Sequence, residues 1–344
     1  MSALYQAHVQ KGILLNANES SNEPSQVILD QIVQDLKDGH LNRYPDDQAT
    51  QLVQAFAKLY DLDAKGILAG NGSDATLQIM INSLCRQDRP LVTLKPDFGM
   101  YDFYASAMQS KVYAYSTNWQ GEFDVQALIQ FAKDKQAGLV LFSNPNNPTG
   151  HQIDRQTLLS MAKGLDPIVL AVDEAYMDFS DQSLLDQVQS LDNVIVTRTL
   201  SKAWGLAGVR CGFLIANTKL VEQLAKWRVV YSVSTLDQIA AQAGLAHVEV
   251  KDEYVACIQQ EIKRIQQQLD KVPLLKVGEM HANFYAISFV DGQGNLDLWR
   301  NVQLEKSFVQ HNIQVRTWPN HERIRITIGL PQQNDLVLKL IQAN

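Results

Sequence analysis

Cysteine is scarce in these 344 residues: three thiols, Cys85, Cys211 and Cys257, odd in number and far apart. That spacing suggests neither a disulfide framework nor a Cys-x-x-Cys metal site, so buried, inert thiols in a reducing compartment are expected. No block of five or more basic residues occurs, and the formal charge is −7, a balance that argues against a nucleic-acid surface. No apolar run approaches the length of a membrane span. The opening MSALYQAHVQKG lacks the basic start and apolar core of a secretory signal. The histidines (His8, His40, His151, His247, His281, His311 and His321) show no metal-ligand spacing and read as structural or surface residues. Internal repeats and low-complexity segments are missing too. A cytoplasmic protein without membrane, nucleic-acid or metal partners is the expectation.

At 46% hydrophobic and 19% charged residues, the composition is that of an ordinary globular enzyme. The chain is long enough for two domains and a large core. Its most unusual stretch is Thr197–Gly212, TRTLSKAWGLAGVRCG, set between the β-branched run NVIVT and the apolar run GFLIAN. A lysine at the exit of a buried strand costs several kcal/mol to desolvate unless it is used or paired. Lysine also shifts its pKa readily on burial, which suits it to bonding a carbonyl carbon. Thr199 and Ser201 place hydroxyls beside Lys202, and Arg210 can offer a planar fork to a phosphate. A lysine nucleophile next to a phosphate site suggests pyridoxal phosphate. A plain strand-turn-strand with an exposed lysine is the alternative from this stretch alone.

Taken in order, residues 1–24 are polar and turn-rich, an arm more than a packed element. Pro24 opens a helical pattern that ends near Gly39. LNRYPDD (41–47) is a turn, and a helix spans about 49–59. Seven short apolar runs follow: 67–69, 91–94, 112–115, 139–143, 168–172, 194–198 and 213–216. Helical stretches such as 75–84, 125–131 and 156–163 lie between several of them. Mostly without strict alternation, these runs imply a mainly parallel seven-stranded sheet covered on both faces. One long helical pattern then covers 235–269. Beyond Pro273 come a strand at 284–289, a helix near 298–311, a strand at 324–328 and a terminal helix from Asn334. The fold class is α/β: a large domain over 45–245, a smaller α+β domain over 246–344, and an N-terminal arm and helix (1–44) contributing to the smaller one.

Four further motifs fall in loops after expected strands. GNGSD (70–74) opens a helix whose free N–H groups face an anion, although a plain N-cap at Ser73 or Asp74 explains it equally. PDFGMY (96–101) puts Phe98 where a ring could stack on a flat cofactor, or simply fill the core. In NPNNPTG (144–150) two prolines fix the loop and leave the Asn147 amide free. In DEAY (173–176) the Asp173 carboxylate emerges from six apolar residues and needs a partner, for which a pyridinium N–H is suitable.

With LNANE, NRYP, HANF and RITIG, these motifs run in order along nearly the whole chain. The set resembles the fold-type I pyridoxal-phosphate-dependent aminotransferases of class II, and within them the histidinol-phosphate aminotransferase family. The resemblance implies that Lys202 bonds the cofactor and later carries the proton between substrate and cofactor. It implies that Asp173 pairs with the ring nitrogen, that Asn147 and Tyr176 bond the phenolic oxygen, and that Phe98 stacks on the ring. Ser73, Asp74, Thr199, Ser201 and Arg210 would hold the phosphate, joined by Tyr44 from the partner subunit of a homodimer. Arg325, assisted by Asn147, would bind the glutamate carboxylate, and Tyr5 and Arg316 the phosphate of histidinol phosphate. Arg316 could instead pair with Glu322. Arg43, Arg198, Arg228 and Arg323 read as surface or strand-pairing residues.

The reaction so implied is amino transfer between histidinol phosphate and 2-oxoglutarate, giving imidazole-acetol phosphate and glutamate, as in histidine biosynthesis. An aromatic amino acid aminotransferase and a phosphothreonine-type decarboxylase are the alternatives. The arm NANESSNEP, Phe98 in place of a frequent tyrosine, Trp204 in place of Tyr or Phe, and VVYSVS (229–234) depart from the family pattern. These departures bear on substrate choice more than on the cofactor.

Overall fold

The computed structural model describes residues 11–344, so Tyr5 lies outside the described residues. A short strand, β1 (Ile13–Leu14), precedes helices α1 (Gln26–Leu36) and α2 (Thr50–Tyr60). An alternating stretch follows: β2 (Ile67–Asn71), α3 (Gly72–Leu84), β3 (Leu91–Lys95), α4 (Met100–Ala107), β4 (Val112–Ser116), α5 (Val125–Asp134) and β5 (Leu139–Ser143). It continues through α6 (Arg155–Leu165), β6 (Val169–Asp173), β7 (Val194–Thr199) and β8 (Cys211–Ile215). Helices α7 (Thr218–Ala225), α8 (Thr235–Ala246) and α9 (Val248–Leu269) come next. The last part is β9 (Leu275–Val277), β10 (Phe284–Phe289), α10 (Leu298–Gln310), β11 (Ile313–Gln314), β12 (Arg316–Thr317), β13 (Ile324–Thr327) and α11 (Pro331–Ala343).

All seven apolar runs read from the sequence are strands of one sheet, ordered β2-β8-β7-β6-β5-β3-β4. Every pairing is parallel except those of β8, which runs antiparallel to both neighbours. Strands β5 to β8 are buried along their whole length. Their alternate residues feed two separate cores, as a period of two requires. Phe142, Val172, Val196 and Phe213 pack on one face, while Leu141, Ala171, Ile195 and Leu214 pack on the other. A strand that is apolar on both faces has no polar face to alternate with, which is why these runs read as continuous.

The helix expected over 235–269 is two helices. His247 (φ −118, ψ 56) interrupts it, its N–H closing back onto the Gly244 carbonyl. No proline stands at the break and the apolar period runs through it, so the pattern offered no sign. The C-terminal part forms a four-stranded antiparallel sheet, β12-β13-β10-β9. The N-terminal segment touches both parts: β1 pairs in parallel with β11, and α1 packs on α8. Among the described residues no helix is long and apolar enough to cross a membrane.

The parallel strands end on one edge of the large sheet, where β3, β5, β6 and β7 deliver Lys95, Ser143, Asp173 and Thr199. In open α/β sheets this is the edge where ligands gather. The small sheet adds Arg325 from β13.

Candidate active site

Asp173 ends β6 as a buried carboxylate. It accepts the Tyr101 hydroxyl on Oδ2 at 2.8 Å, and the Thr197 hydroxyl and Ala175 N–H on Oδ1 at 2.9 and 3.2 Å. Burial pushes its pKa up, and these donors pull it back. A carboxylate offers about four lone-pair sites, so Oδ2 can still take one more N–H. On the next strand end but one, Asp97 accepts the Ser143 hydroxyl at 2.5 Å, and the same Ser143 oxygen accepts the Asn147 N–H at 2.9 Å. Burial brings the Asp97 carboxyl up to about 8.

Lys202 sits beyond β7 and is partly buried. Its Nζ donates to the Ala17 carbonyl at 2.9 Å and stands 5.9 Å from the Tyr176 ring centroid. Burial, with the cations Arg325 and Arg210 adding to it, brings its pKa down to about 8. An appreciable share of the amine is therefore neutral near neutral pH, the form that can attack a carbonyl or accept a proton. Buried Tyr176 accepts from the Asn18 amide at 3.0 Å and the Asn147 amide at 3.3 Å. Both amide orientations are set by the groups on their oxygens: Arg325 can only donate to Asn147 Oδ1, and Thr327 gives its hydroxyl proton to Asn18 Oδ1. Among the described residues the Tyr176 hydroxyl proton finds no acceptor, although the group is fully enclosed.

Arg325 is buried on β13. Its Nη1 donates to Asn147 Oδ1 and its Nη2 to the Asn16 carbonyl, both at 2.5 Å, while Nε has no partner. No carboxylate pairs with it among the described residues. Burial brings its pKa down to about 10, which leaves it a cation at neutral pH. Antiparallel pairing sets Arg316 of β12 directly across from Arg325. Arg316 is exposed and forms no ion pair with Glu322. Two like charges facing across a ladder are unfavourable unless an anion joins them.

A separate donor cluster lies where α3 meets β7 and β8. The Thr199 hydroxyl donates to Ser201 Oγ at 3.0 Å, and Arg210 adopts a left-handed conformation (φ 52) with Nη2 2.8 Å from Asp74. Glycine is required at two places here. A Cβ on Gly72 (φ 72) would stand 2.5 Å from Arg210 Nη2, and one on Gly212 would stand 2.5 Å from the Ser73 nitrogen. Asp74 was expected to hold a phosphate; its carboxylate is spent on Arg210, so only its backbone N–H at the start of α3 remains for an anion. Hydroxyls, helix N–H groups and a guanidinium make a donor set suited to a phosphate ester. The enclosed Tyr176 proton, the Asp173 carboxylate and the partly neutral Lys202 suit a pyridoxal ring. The residues present fit pyridoxal phosphate.

Phe98 is half-buried, edge-on to Tyr101 with centroids 5.5 Å apart. Tyr44 stands apart from the Lys202 group, 81% exposed and stacked on Tyr231 at 4.7 Å. Two arginines expected at the surface or in strand pairing are buried. Arg198 pairs with Glu174 and Asp178; Arg323 lies over the Trp119 ring at 4.5 Å and donates to the Trp119 carbonyl. Of the thiols, Cys85 and Cys211 are buried but Cys257 is exposed. Sequence reasoning missed Asn16–Asn18, Tyr101, Asp97, Thr197 and Thr327. LNANE is a recognisable motif, yet nothing in its composition says which group each residue touches.

The chain belongs to the class I and II aminotransferases, whose family model, aminotransferase class I and II, matches residues 10–341. It is an aminotransferase. Within that family its similarity is to histidinol-phosphate aminotransferases. It is 33% identical over 335 residues to that of Clostridium novyi, covering 96% of this chain and 91% of the relative. It is 31% identical over 338 residues to that of Ruminiclostridium cellulolyticum, covering 96% and 92%. Its fold matches a solved histidinol-phosphate aminotransferase from Sinorhizobium meliloti, in complex with pyridoxal-5′-phosphate, with a TM-score of 0.86 at 24% identity. That match covers 96% of this chain and 91% of the other.

Proposed function

We propose that this aminotransferase moves the amino group of L-histidinol phosphate to 2-oxoglutarate, giving imidazole-acetol phosphate and L-glutamate in histidine biosynthesis. The observation that carries the substrate choice is the pair Arg325 and Arg316: a buried guanidinium without an acid, faced across the strands by a second, exposed one. Glutamate brings a carboxylate to that place and histidinol phosphate a phosphate, so a shared cation with one helper serves both. An aromatic amino acid would leave Arg316 idle.

Pyridoxal 5′-phosphate, when bound, would supply a carbonyl carbon that can carry an amino group and a ring that withdraws electrons from it. Asp173 holds the ring nitrogen protonated through its remaining lone pair. Tyr176 gives its unused proton to the phenolic oxygen, with Asn147 beside it. Ser73, Thr199, Ser201, Arg210 and the Asp74 N–H hold the phosphate ester, and Phe98 covers the ring. Lys202, partly neutral near neutral pH, would hold the cofactor between turnovers and would be the base that accepts and returns the substrate's proton at its Nζ. Arg325 orients the acid group, and Asn147 fixes Arg325. Tyr5 is assigned, from the resemblance alone, to the same phosphate as Arg316.

We infer further that the enzyme is a homodimer. Leu41, Tyr44, Val229, Val230 and Tyr231 form an exposed apolar surface, held together by the Tyr44–Tyr231 stack and the Arg228–Asp47 pair. A second copy would cover it and bring Tyr44 to the neighbouring phosphate site. We also propose the division into a cofactor domain (45–245) and a C-terminal domain (246–344) to which the arm and helix 1–44 contribute; the separate seven-stranded and four-stranded sheets, and the β1–β11 pairing, support it.

The test is direct. Purified enzyme with pyridoxal phosphate and 2-oxoglutarate should form glutamate from histidinol phosphate far faster than from phenylalanine, and should release no carbon dioxide from phosphothreonine. Faster turnover of phenylalanine would favour the aromatic reading, and carbon dioxide release the decarboxylase.

A further inference from the structure

Three consecutive residues after β1 each take one functional group. Asn16 O accepts from Arg325 at 2.5 Å, Ala17 O accepts from Lys202 at 2.9 Å, and Asn18 Nδ2 donates to the Tyr176 hydroxyl at 3.0 Å. The first two bonds use carbonyls that any residue carries. The third depends on a side chain. Asn18 is fully buried and left-handed (φ 55), a region asparagine enters more readily than most residues. Its other groups are held too: its N–H goes to Thr327 Oγ1 at 3.0 Å, its Oδ1 takes the Thr327 hydroxyl at 3.0 Å, and its carbonyl takes the Asn283 amide at 3.1 Å. With Oδ1 committed, Nδ2 has to face Tyr176. Thr327 lies two residues beyond Arg325 on β13.

We propose that Asn18 is a positioning residue of the active site: it polarises and aims the Tyr176 hydroxyl, and ties that hydroxyl to the strand carrying Arg325. This rests on the assignment of Tyr176 to the cofactor's phenolic oxygen. Hydrogen bonds in a chain strengthen one another. A donor on the Tyr176 oxygen makes its O–H a better donor in turn, which lowers the basicity of whatever oxygen receives it. Removing the amide should therefore raise the pH midpoint at which the holoenzyme's visible absorbance titrates.

Wild type, Asn18→Gly, Tyr176→Phe and the double variant, each reconstituted with pyridoxal phosphate, are titrated by visible absorbance. Glycine keeps the positive φ without strain and deletes only the side chain. The midpoint of Asn18→Gly should rise by roughly half a unit to one unit, the size of one lost hydrogen bond. In the Tyr176→Phe background the same substitution should add less than about a third of that shift, because the two residues act in series. An unmoved midpoint, or an equal shift in both backgrounds, overturns the proposal. Circular dichroism checks the fold. Should Asn18→Gly not fold, Asn18→Ala deletes the same amide without adding a charge and enters the same cycle with the same criteria. A wild-type enzyme with no titrating visible band defeats the cofactor assignment and this proposal together. A titrating band indifferent to Asn18 defeats this proposal alone.

Discussion

Lys202 owes its chemistry to burial, and burial has a measurable cost. Its pKa is about 8 in the folded chain, against about 10.4 for an unperturbed lysine. Below pH 8 both folded and unfolded chains hold the proton, so the full cost of enclosing the ammonium is present. Between about pH 8 and 10.4 the unfolded chain binds a proton that the folded one has released, so stability rises with pH. Cofactor-free Lys202→Met should accordingly melt higher than wild type at pH 7, and the gap should close towards pH 10. A gap independent of pH would mean that the amine is not desolvated. Activity should respond more sharply. Lys202→Ala should keep its fold and retain cofactor non-covalently, yet lose transamination by several orders of magnitude in a single-turnover assay; near wild-type turnover would remove Lys202 from the mechanism.

Strands and helices decide which of these side chains meet. Cross-strand register puts Arg316 opposite Arg325, although nine positions separate them in the chain. Arg325→Ala should impair the half-reactions with both glutamate and histidinol phosphate. Arg316→Ala should weaken histidinol phosphate selectively, by about 1–3 kcal/mol of transition-state binding, the range for a charge-assisted bond. Equal losses with the two substrates would place the phosphate elsewhere. The contact between α3 and β8 makes a second test. A methyl on Gly212 meets the Ser73 nitrogen at 2.5 Å, backbone that cannot swing aside. Gly212→Ala should force the start of α3 outward and weaken cofactor binding at least tenfold, about 1.4 kcal/mol or more. Equilibrium titration of the cofactor-free enzyme measures it, and unchanged affinity would show that this helix end takes no part in holding the phosphate.

For the molecule as assembled, the exposed apolar surface around Tyr44 and Tyr231 is the informative feature. If a second copy covers it and Tyr44 serves the neighbouring site, mixing Tyr44→Phe and Lys202→Ala subunits yields heterodimers with one doubly impaired site and one intact site. Activity should then appear in the mixture above that of either parent, as read by glutamate formation. If Tyr44 serves its own chain, each heterodimer site carries one defect and no intact site arises. A monomeric active enzyme would defeat the proposal outright.

Seven strands, three of the helices between them (α3, α5 and α6, but not α4), and the loops bearing Asn147, Asp173, Lys202 and Arg210 were legible in the residues. The cause is local: strands buried on both faces read as continuous apolar runs, and a polar residue ending such a run must have a use. Cysteine spacing and charge were equally plain, since both are properties of composition. The break at His247 was not legible, because the apolar period continues across it. Nor were the partners of Asn16–Asn18, 158 to 309 positions away in the chain, since no local pattern records which distant donor a carbonyl will meet. Asp74 shows the same limit. Its place at a helix start was readable, but its commitment to Arg210 follows from the antiparallel pairing of β8 with β2, which brings the start of α3 against the Arg210 turn. Composition and period act through neighbours along the chain, whereas register and burial act through space; the chemistry of this site depends on the second.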